Sequence, residues 1–208
     1  MSTNGTTYSV GGPFSTYATP AELPTSVFSE EGNTLEIYPG THTWPSTDFD
    51  MNNTTIVGIG GKNACILTGS INLGASATGD NYVSGLTING TASVPAIDVK
   101  TPETRCGIHV SDCILTTSSL AVRNHTPTSK VANGAPATTV RNIWSSCTAG
   151  LAANSNVTAI SSTMAGAWNQ PPVNTQAAAG LVGTADLVYA AANAGNMTEV
   201  VTSRTIVS

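Results

Sequence analysis

One four-residue phrase recurs along this chain, and the recurrence limits what the chain can fold into. Ile56-Val57-Gly58-Ile59, Val83-Ser84-Gly85-Leu86, Val110-Ser111-Asp112-Cys113 and Val140-Arg141-Asn142-Ile143 each read aliphatic, any residue, Gly/Asp/Asn, apolar. Their starts are 27, 27 and 30 residues apart, and a weaker member follows at Asn156-Val157-Thr158-Ala159-Ile160. A near-constant period carrying a fixed local pattern marks a solenoid, in which each repeat buries its apolar face only by stacking on its neighbours. A unit of this length holds about three short strands, each hydrogen-bonded to its equivalent in the next unit. The third position of the phrase then has a physical role. Gly, Asp and Asn tolerate left-handed or bulged backbone, so Gly58, Gly85, Asp112 and Asn142 form a column of bends where a strand turns a corner.

Composition agrees with strands. The chain is poor in the Glu, Lys and Leu of surface helices and rich in Thr, Val and Ile, with Gly and Asn as punctuation. Further strands are predicted over Ala64 to Thr68 and Ala96 to Lys100. The expected fold is all-β, a short parallel β-helix of about 4–5 coils; the alternative is a β-sandwich or jelly roll, which predicts alternation without a fixed period. Disorder is excluded by 39 Val, Ile and Leu residues among 208, since a chain that cannot bury itself lacks such residues.

The ends depart from the repeat, which divides the chain into an N-terminal arm or cap (1–32), the β-helix (33–162) and a C-terminal arm (163–208). The first segment carries Gly11-Gly12-Pro13, Pro20 and Pro24 among the aromatics Tyr8, Phe14, Tyr17 and Phe28, a pattern of extended chain anchored by rings. A short helix over Ala18 to Ser29 is expected to cover the open core. In the C-terminal arm, 184–193 reads as a short helix capped by Thr184 and stopped at Gly195, and Glu199 to Val207 as a strand. The start of the chain has neither a basic region nor an apolar run, and no stretch approaches the roughly 18 apolar residues of a membrane span, so a cytoplasmic product with no membrane contact is expected.

The repeat region, roughly 33 to 162, resembles the pectin-lyase-like right-handed parallel β-helix superfamily. Asn33-Thr34-Leu35-Glu36-Ile37-Tyr38-Pro39-Gly40-Thr41-His42 resembles its first coil, a short strand ending in Pro-Gly. The stretch Asn53 to Gly60, with Thr55-Ile56-Val57-Gly58, resembles its second. The resemblance implies a right-handed coil, and it brings polysaccharide lyase or glycoside hydrolase activity into question, by paired carboxylates or by Ca2+ with a basic residue.

The residues offer little for that chemistry. Hydrolysis of a glycosidic bond needs two carboxyl groups about 5–9.5 Å apart. The candidates are Asp80, Asp98, Glu103 and Asp112. Asp112 already belongs to the bend column. Asp98, Lys100, Glu103, Arg105 and His109 form the one dense titratable group, read as solvated loop charges around Thr101-Pro102. His42, His109 and His125 show no metal-ligand spacing, so no metal or cofactor is expected. Cys65, Cys106, Cys113 and Cys147 lack a C-x-x-C pair and read as small buried apolar residues. Trp44, Trp144 and Trp168 form no repeated ladder for sugar binding. Seven Lys and Arg against twelve Asp and Glu, a net charge of -5, cannot displace counterions from nucleic acid.

Only 19 of the 208 residues are charged, while Thr, Ser and Asn number 70. A small β-solenoid with such a surface and irregular arms resembles in type the cement or decoration proteins of tailed-bacteriophage capsids. That resemblance implies a virion protein rather than an enzyme, with the major capsid protein as partner and self-association as a homotrimer. Neutral polar surfaces suit this role, because packing them together buries no unpaired charge. The alternative is a tail-associated polysaccharide-degrading or carbohydrate-binding β-helix protein.

Overall fold

A computed structural model describes residues 5–100, 106–116, 118 and 120–124, and beyond them only the strands at 138–141, 144–145, 149–153, 157–160, 162–165, 187–190 and 200–201. The chain is an all-β parallel solenoid of about four turns. Its first complete coil is formed by β2 (Thr34–Ile37), β3 (Gly40–Thr43) and β4 (Asp48–Phe49), and its second by β5 (Thr55–Gly58), β6 (Cys65–Thr68) and β7 (Ile71–Leu73). The third comprises β8 (Gly79–Ser84), β9 (Thr87–Asn89) and β10 (Ile97–Val99), and the fourth β11 (Cys106–Ser111), β12 (Ile114–Thr116) and β13 (Leu120–Asn124). The pattern continues through β14 (Thr138–Arg141), β15 (Trp144–Ser145) and β16 (Ala149–Ala153) to β17 (Val157–Ile160) and β18 (Ser162–Ala165).

Equivalent strands stack into three parallel sheets. We call them the first sheet (containing β2, β5, β8, β11), the second (β3, β6, β9, β12) and the third (β4, β7, β10, β13). A sandwich of antiparallel strands is thereby excluded. Pairing register turns the sequence period into columns: Ile56 pairs with Val83, Val83 with Val110 and Val110 with Val140, the starts of the four recurring phrases. Side chains alternate across each strand, and the inward ones form the core. Leu35, Ile56, Val83 and Val110 stack in the first sheet, Leu67, Ile88 and Leu115 in the second, and Phe49, Leu73 and Val99 in the third, all buried. Strands predicted at 64–68 and 96–100 are both present, but as β6 and β10 they lie in different sheets. Local alternation reveals a strand; which side of the prism it occupies depends on the length of the intervening loop.

The bend column has two physical causes. Gly85 and Asp112 have φ of 68° and 51°, the left-handed region that Gly enters freely and Asp tolerates. Gly58 is not left-handed. A Cβ there would lie 2.1 Å from the Gly85 carbonyl oxygen, so glycine is required by the close approach of successive corners. Asn142 lies outside the described residues.

The N-terminal segment is more integrated than an irregular arm. Strand β1 (Thr7–Val10) pairs in parallel with β2, Tyr8 opposite Leu35, and so extends the first sheet by a coil. Where one capping helix was expected over 18–29, a 3-10 turn at Pro20–Glu22 and one α-turn, α1 (Ser26–Ser29), are found, because Pro20 and Pro24 interrupt any longer helix. Val27 and Phe28 of α1 are fully buried. Phe28 packs on Phe49 and edge-on to Trp44, with centroids 4.1 and 6.0 Å away, which covers the first coil as the sequence predicted. Burial of a ring of this size contributes about 2–3 kcal/mol.

An internal polar ladder fixes this cap. Asn33, Thr54 and Asn81 are buried at successive coils, one residue before the paired Thr34, Thr55 and Tyr82. Asn33 donates through Nδ2 to Val27 O at 3.0 Å and accepts from Thr6 N at 2.8 Å. Thr54 donates from its hydroxyl to Phe28 O at 3.1 Å, and its amide donates to Asn81 Oδ1 at 2.9 Å. Each side chain satisfies backbone groups left free where the chain enters the first sheet.

At the other end, the helix expected over 184–193 is corrected in its described part. Leu187–Ala190 is strand β19, paired in parallel with β18, and β20 (Val200–Val201) pairs antiparallel with β19. Leu187-Val188-Tyr189 favours a pleated surface, and the edge of β18 offers a ladder that an isolated ten-residue helix lacks. The solenoid also runs past the expected limit at 162, through β18 to Ala165.

Candidate functional site

The expected titratable group is dispersed by the coil. Asp98, expected in a solvated loop, sits in β10 with 1% exposure. Its register partner is Arg123 of β13, one coil further on. The guanidinium donates from Nε to Asp98 Oδ1 at 2.8 Å and from Nη2 to Oδ2 at 2.5 Å, a two-pronged charged pair. This bonding to Asp98 raises the Arg123 pKa above its already high value, against the opposing effect of burial. Asp112 stands at an exposed corner between the first and second sheets. His109 faces outward on the first sheet, with Nε2 3.1 Å from Asp80 Oδ1 and its ring stacked on Tyr82 at 4.7 Å. Lys100 Nζ reaches across the third sheet to Asp48 Oδ1 at 2.8 Å. Glu103, Arg105 and His125 lie outside the described residues. The structure therefore does not bring Asp98 and Asp112 together: one belongs to an ion pair and the other to a bend.

Cys65, Cys106 and Cys113 are buried, in keeping with the sequence reading; Cys147 lies outside the described residues. Burial pushes the Cys113 thiol up to about 12, and its Sγ donates to Ser111 O at 3.1 Å. His42 points back to its own turn, with Nε2 3.0 Å from Tyr38 O. Among the described residues no group of three or more His, Cys, Asp or Glu side chains is placed to hold a metal, and no helix is long and apolar enough to cross a membrane.

Two other features stand out. The first is a groove of about 770 Å³ at the corner between the second and third sheets, running along the solenoid axis across three coils. Trp44 comes from the turn after β3, Ser70 from the β6–β7 corner, Asn72 from the middle of β7, Asn89 from the end of β9, Val94 from the segment after it, and Lys100 from just past β10. Gly69, at φ 123°, allows this corner: its Cβ would lie 2.9 Å from Trp44 O. Trp44, Ser70 and Asn72 are 3%, 6% and 8% exposed, yet Trp44 Nε1, Ser70 Oγ and Asn72 Oδ1 have no hydrogen-bond partner among the described residues. Each such atom costs about 1–3 kcal/mol when left unsatisfied. Sequence reading missed Ser70 and Asn72, and weighed Trp44 only as part of a ladder that the tryptophan spacing does not form. A Ser-Ile-Asn phrase looks like any strand entry, and only the stacking of three coils encloses it.

The second feature is Phe14, 97% exposed. It lies in a loop that returns against the outer edge of β1. The loop is closed by Gly11 N to Tyr17 O at 3.1 Å, Tyr17 N to Ser9 O at 3.0 Å, Thr16 N to Ser9 Oγ at 2.9 Å and Gly12 N to Ser15 Oγ at 2.6 Å. These bonds hold the loop without help from the Phe14 ring. No family model, no curated protein and no solved structure matches the chain.

Proposed function

We propose that this is a structural protein of a virion, a cement or decoration protein that strengthens a tailed-bacteriophage capsid by binding its major capsid protein and associating as a homotrimer. The observation that carries the reading is Phe14. A phenyl ring left in water forgoes about 2–3 kcal/mol of burial, and a loop already stapled in place offers that ring to a partner at little ordering cost. Rigid exposed aromatics of this kind anchor protein interfaces. The sparsely charged surface supports the same role, since close packing of many copies then buries few unpaired charges. Asp98 and Asp112, the carboxylates that would have served a polysaccharide-cleaving site, take structural positions instead.

The test is made on gradient-purified virions. Mass spectrometry is expected to find the protein in high copy relative to the major capsid protein, and its removal to lower the capsid's resistance to heat and salt. Phe14→Asp is expected to abolish rebinding to stripped particles while leaving the fold intact. Absence of the protein from virions, or capsids equally resistant without it, overturns the reading. Sedimentation equilibrium of the purified chain tests the trimer, which a monomer at micromolar concentration would refute.

A further inference from the structure

We propose that the corner groove is a binding site for a short neutral saccharide, whose hydroxyls complete the hydrogen bonding of Trp44 Nε1, Ser70 Oγ and Asn72 Oδ1. Folded proteins rarely bury polar atoms without partners, and here three such atoms belong to residues lining one cavity. Their chemistry is complementary rather than uniform. The indole N–H only donates, the amide oxygen only accepts, and the hydroxyl does both. Adjacent sugar hydroxyls, each able to donate and accept, match this set, whereas an ionised carboxylate has no proton to give Asn72 Oδ1. Among the described residues the one cation on the groove is Lys100, which Asp48 holds at 2.8 Å, so these residues give the rim no uncompensated positive charge for an acidic ligand.

Size and shape agree. A cavity of about 770 Å³ falls within the range of small-ligand sites. Three coils at about 4.8 Å spacing give a groove floor roughly 10 Å long, the length of two pyranose rings. The exposed lining is mainly apolar, a surface against which the C–H face of a ring can lie, and Thr43, Thr68 and Asn89 add polar groups along the same axis. All three atoms are closed to solvent behind the groove surface, so the proposed binding includes rotation of Ser70 and Asn72 and a small shift of the Trp44 ring that turn them toward the ligand. The site uses other elements than the Phe14 loop, so it stands or falls separately from the capsid role.

The experiment uses the full chain with maltose, cellobiose, lactose and N,N'-diacetylchitobiose as probes, followed by saturation-transfer NMR and calorimetric titration, with digalacturonate as the acidic control. At least one neutral disaccharide is expected to bind saturably, and digalacturonate more weakly. Ser70→Ala and Asn72→Leu are each expected to weaken binding at least tenfold, and Trp44→Phe, which keeps the ring packed but removes its N–H, severalfold. Tyr82→Ala, on another sheet, should leave binding unchanged. Circular dichroism and thermal unfolding confirm that each variant is folded; Asn72→Leu is expected to melt at or above the temperature of the parent, since it removes a buried unsatisfied atom. No saturable binding of any neutral probe up to about 20 mM, the weak end of specific recognition, overturns the proposal: the three atoms are then satisfied by ordered water alone. Equal binding by parent and groove variants, or tighter binding of digalacturonate, also overturns it.

Discussion

Replacing Arg123 by Met tests whether Asp98 is a structural carboxylate. Asp98 is 1% exposed in β10, and Arg123 meets both its oxygens, at 2.8 and 2.5 Å, from the register position one coil on. Met preserves much of the arginine's aliphatic stem but removes the guanidinium that meets both oxygens of a buried carboxylate. Breaking a buried pair in this way costs about 3–5 kcal/mol. The Arg123 side chain is 35% exposed, so water can partly replace it and the lower end applies, about 3 kcal/mol, or roughly a 150-fold loss in the folding equilibrium. For a chain of this length that is a fall in Tm of about 6–12 °C. Urea unfolding followed by circular dichroism, with melting as a check, reads the effect. The double variant Asp98→Leu with Arg123→Met removes both charges and is expected to recover to within about 1 kcal/mol of the parent, because the desolvation penalty of both ions disappears with their attraction. A loss below about 1 kcal/mol in Arg123→Met, or a double variant as unstable as the single, would refute the assignment of Asp98 to a buried pair.

Other outcomes follow from the same geometry. Gly58→Ala is expected to destabilise by about 1–3 kcal/mol in urea unfolding, since its Cβ would lie 2.1 Å from the Gly85 carbonyl oxygen and only backbone movement relieves the clash. A neutral result would mean that successive corners are farther apart. Stability should also fall above about pH 8.5, where a thiol in the unfolded chain ionises, by roughly 1.4 kcal/mol per unit for Cys113 alone. Its raised folded pKa, near 12, makes this contribution complete at neutral pH and loses it as the solution becomes alkaline; Cys113→Ala should flatten the slope between pH 8 and 10 relative to the parent. Phe14→Ser is expected to change stability by under about 0.5 kcal/mol, as for any exposed substitution, and a larger loss would place the ring inside the fold.

The recurring phrase carried much of the fold. Its spacing matches the observed register of Ile56, Val83, Val110 and Val140, because a parallel solenoid converts sequence period directly into strand pairing. The burial of Cys65, Cys106 and Cys113 was legible for another reason: cysteines without a C-x-x-C pair behave as small apolar residues and go inside. The ends were harder. Residues 7–10 show no repeat phrase, yet they form β1, since the open edge of β2 rewards any extended segment that reaches it. Over 187–190 the same reward from β18 outweighed alanine-rich helix propensity.

Individual side-chain roles divide along the same line. By itself the sequence determined that this chain is a parallel solenoid with bends at Gly85 and Asp112, because strand alternation, turn tolerance and period are properties of neighbouring residues. Tertiary structure alone decided that Asp98 is buried against Arg123, that Gly58 is required by contact with the next coil, and that Trp44, Ser70 and Asn72 share one groove. Those facts depend on residues about 25 apart being brought to the 4.8 Å spacing of stacked strands, and loop lengths between strands, which no local pattern encodes, choose which of them meet.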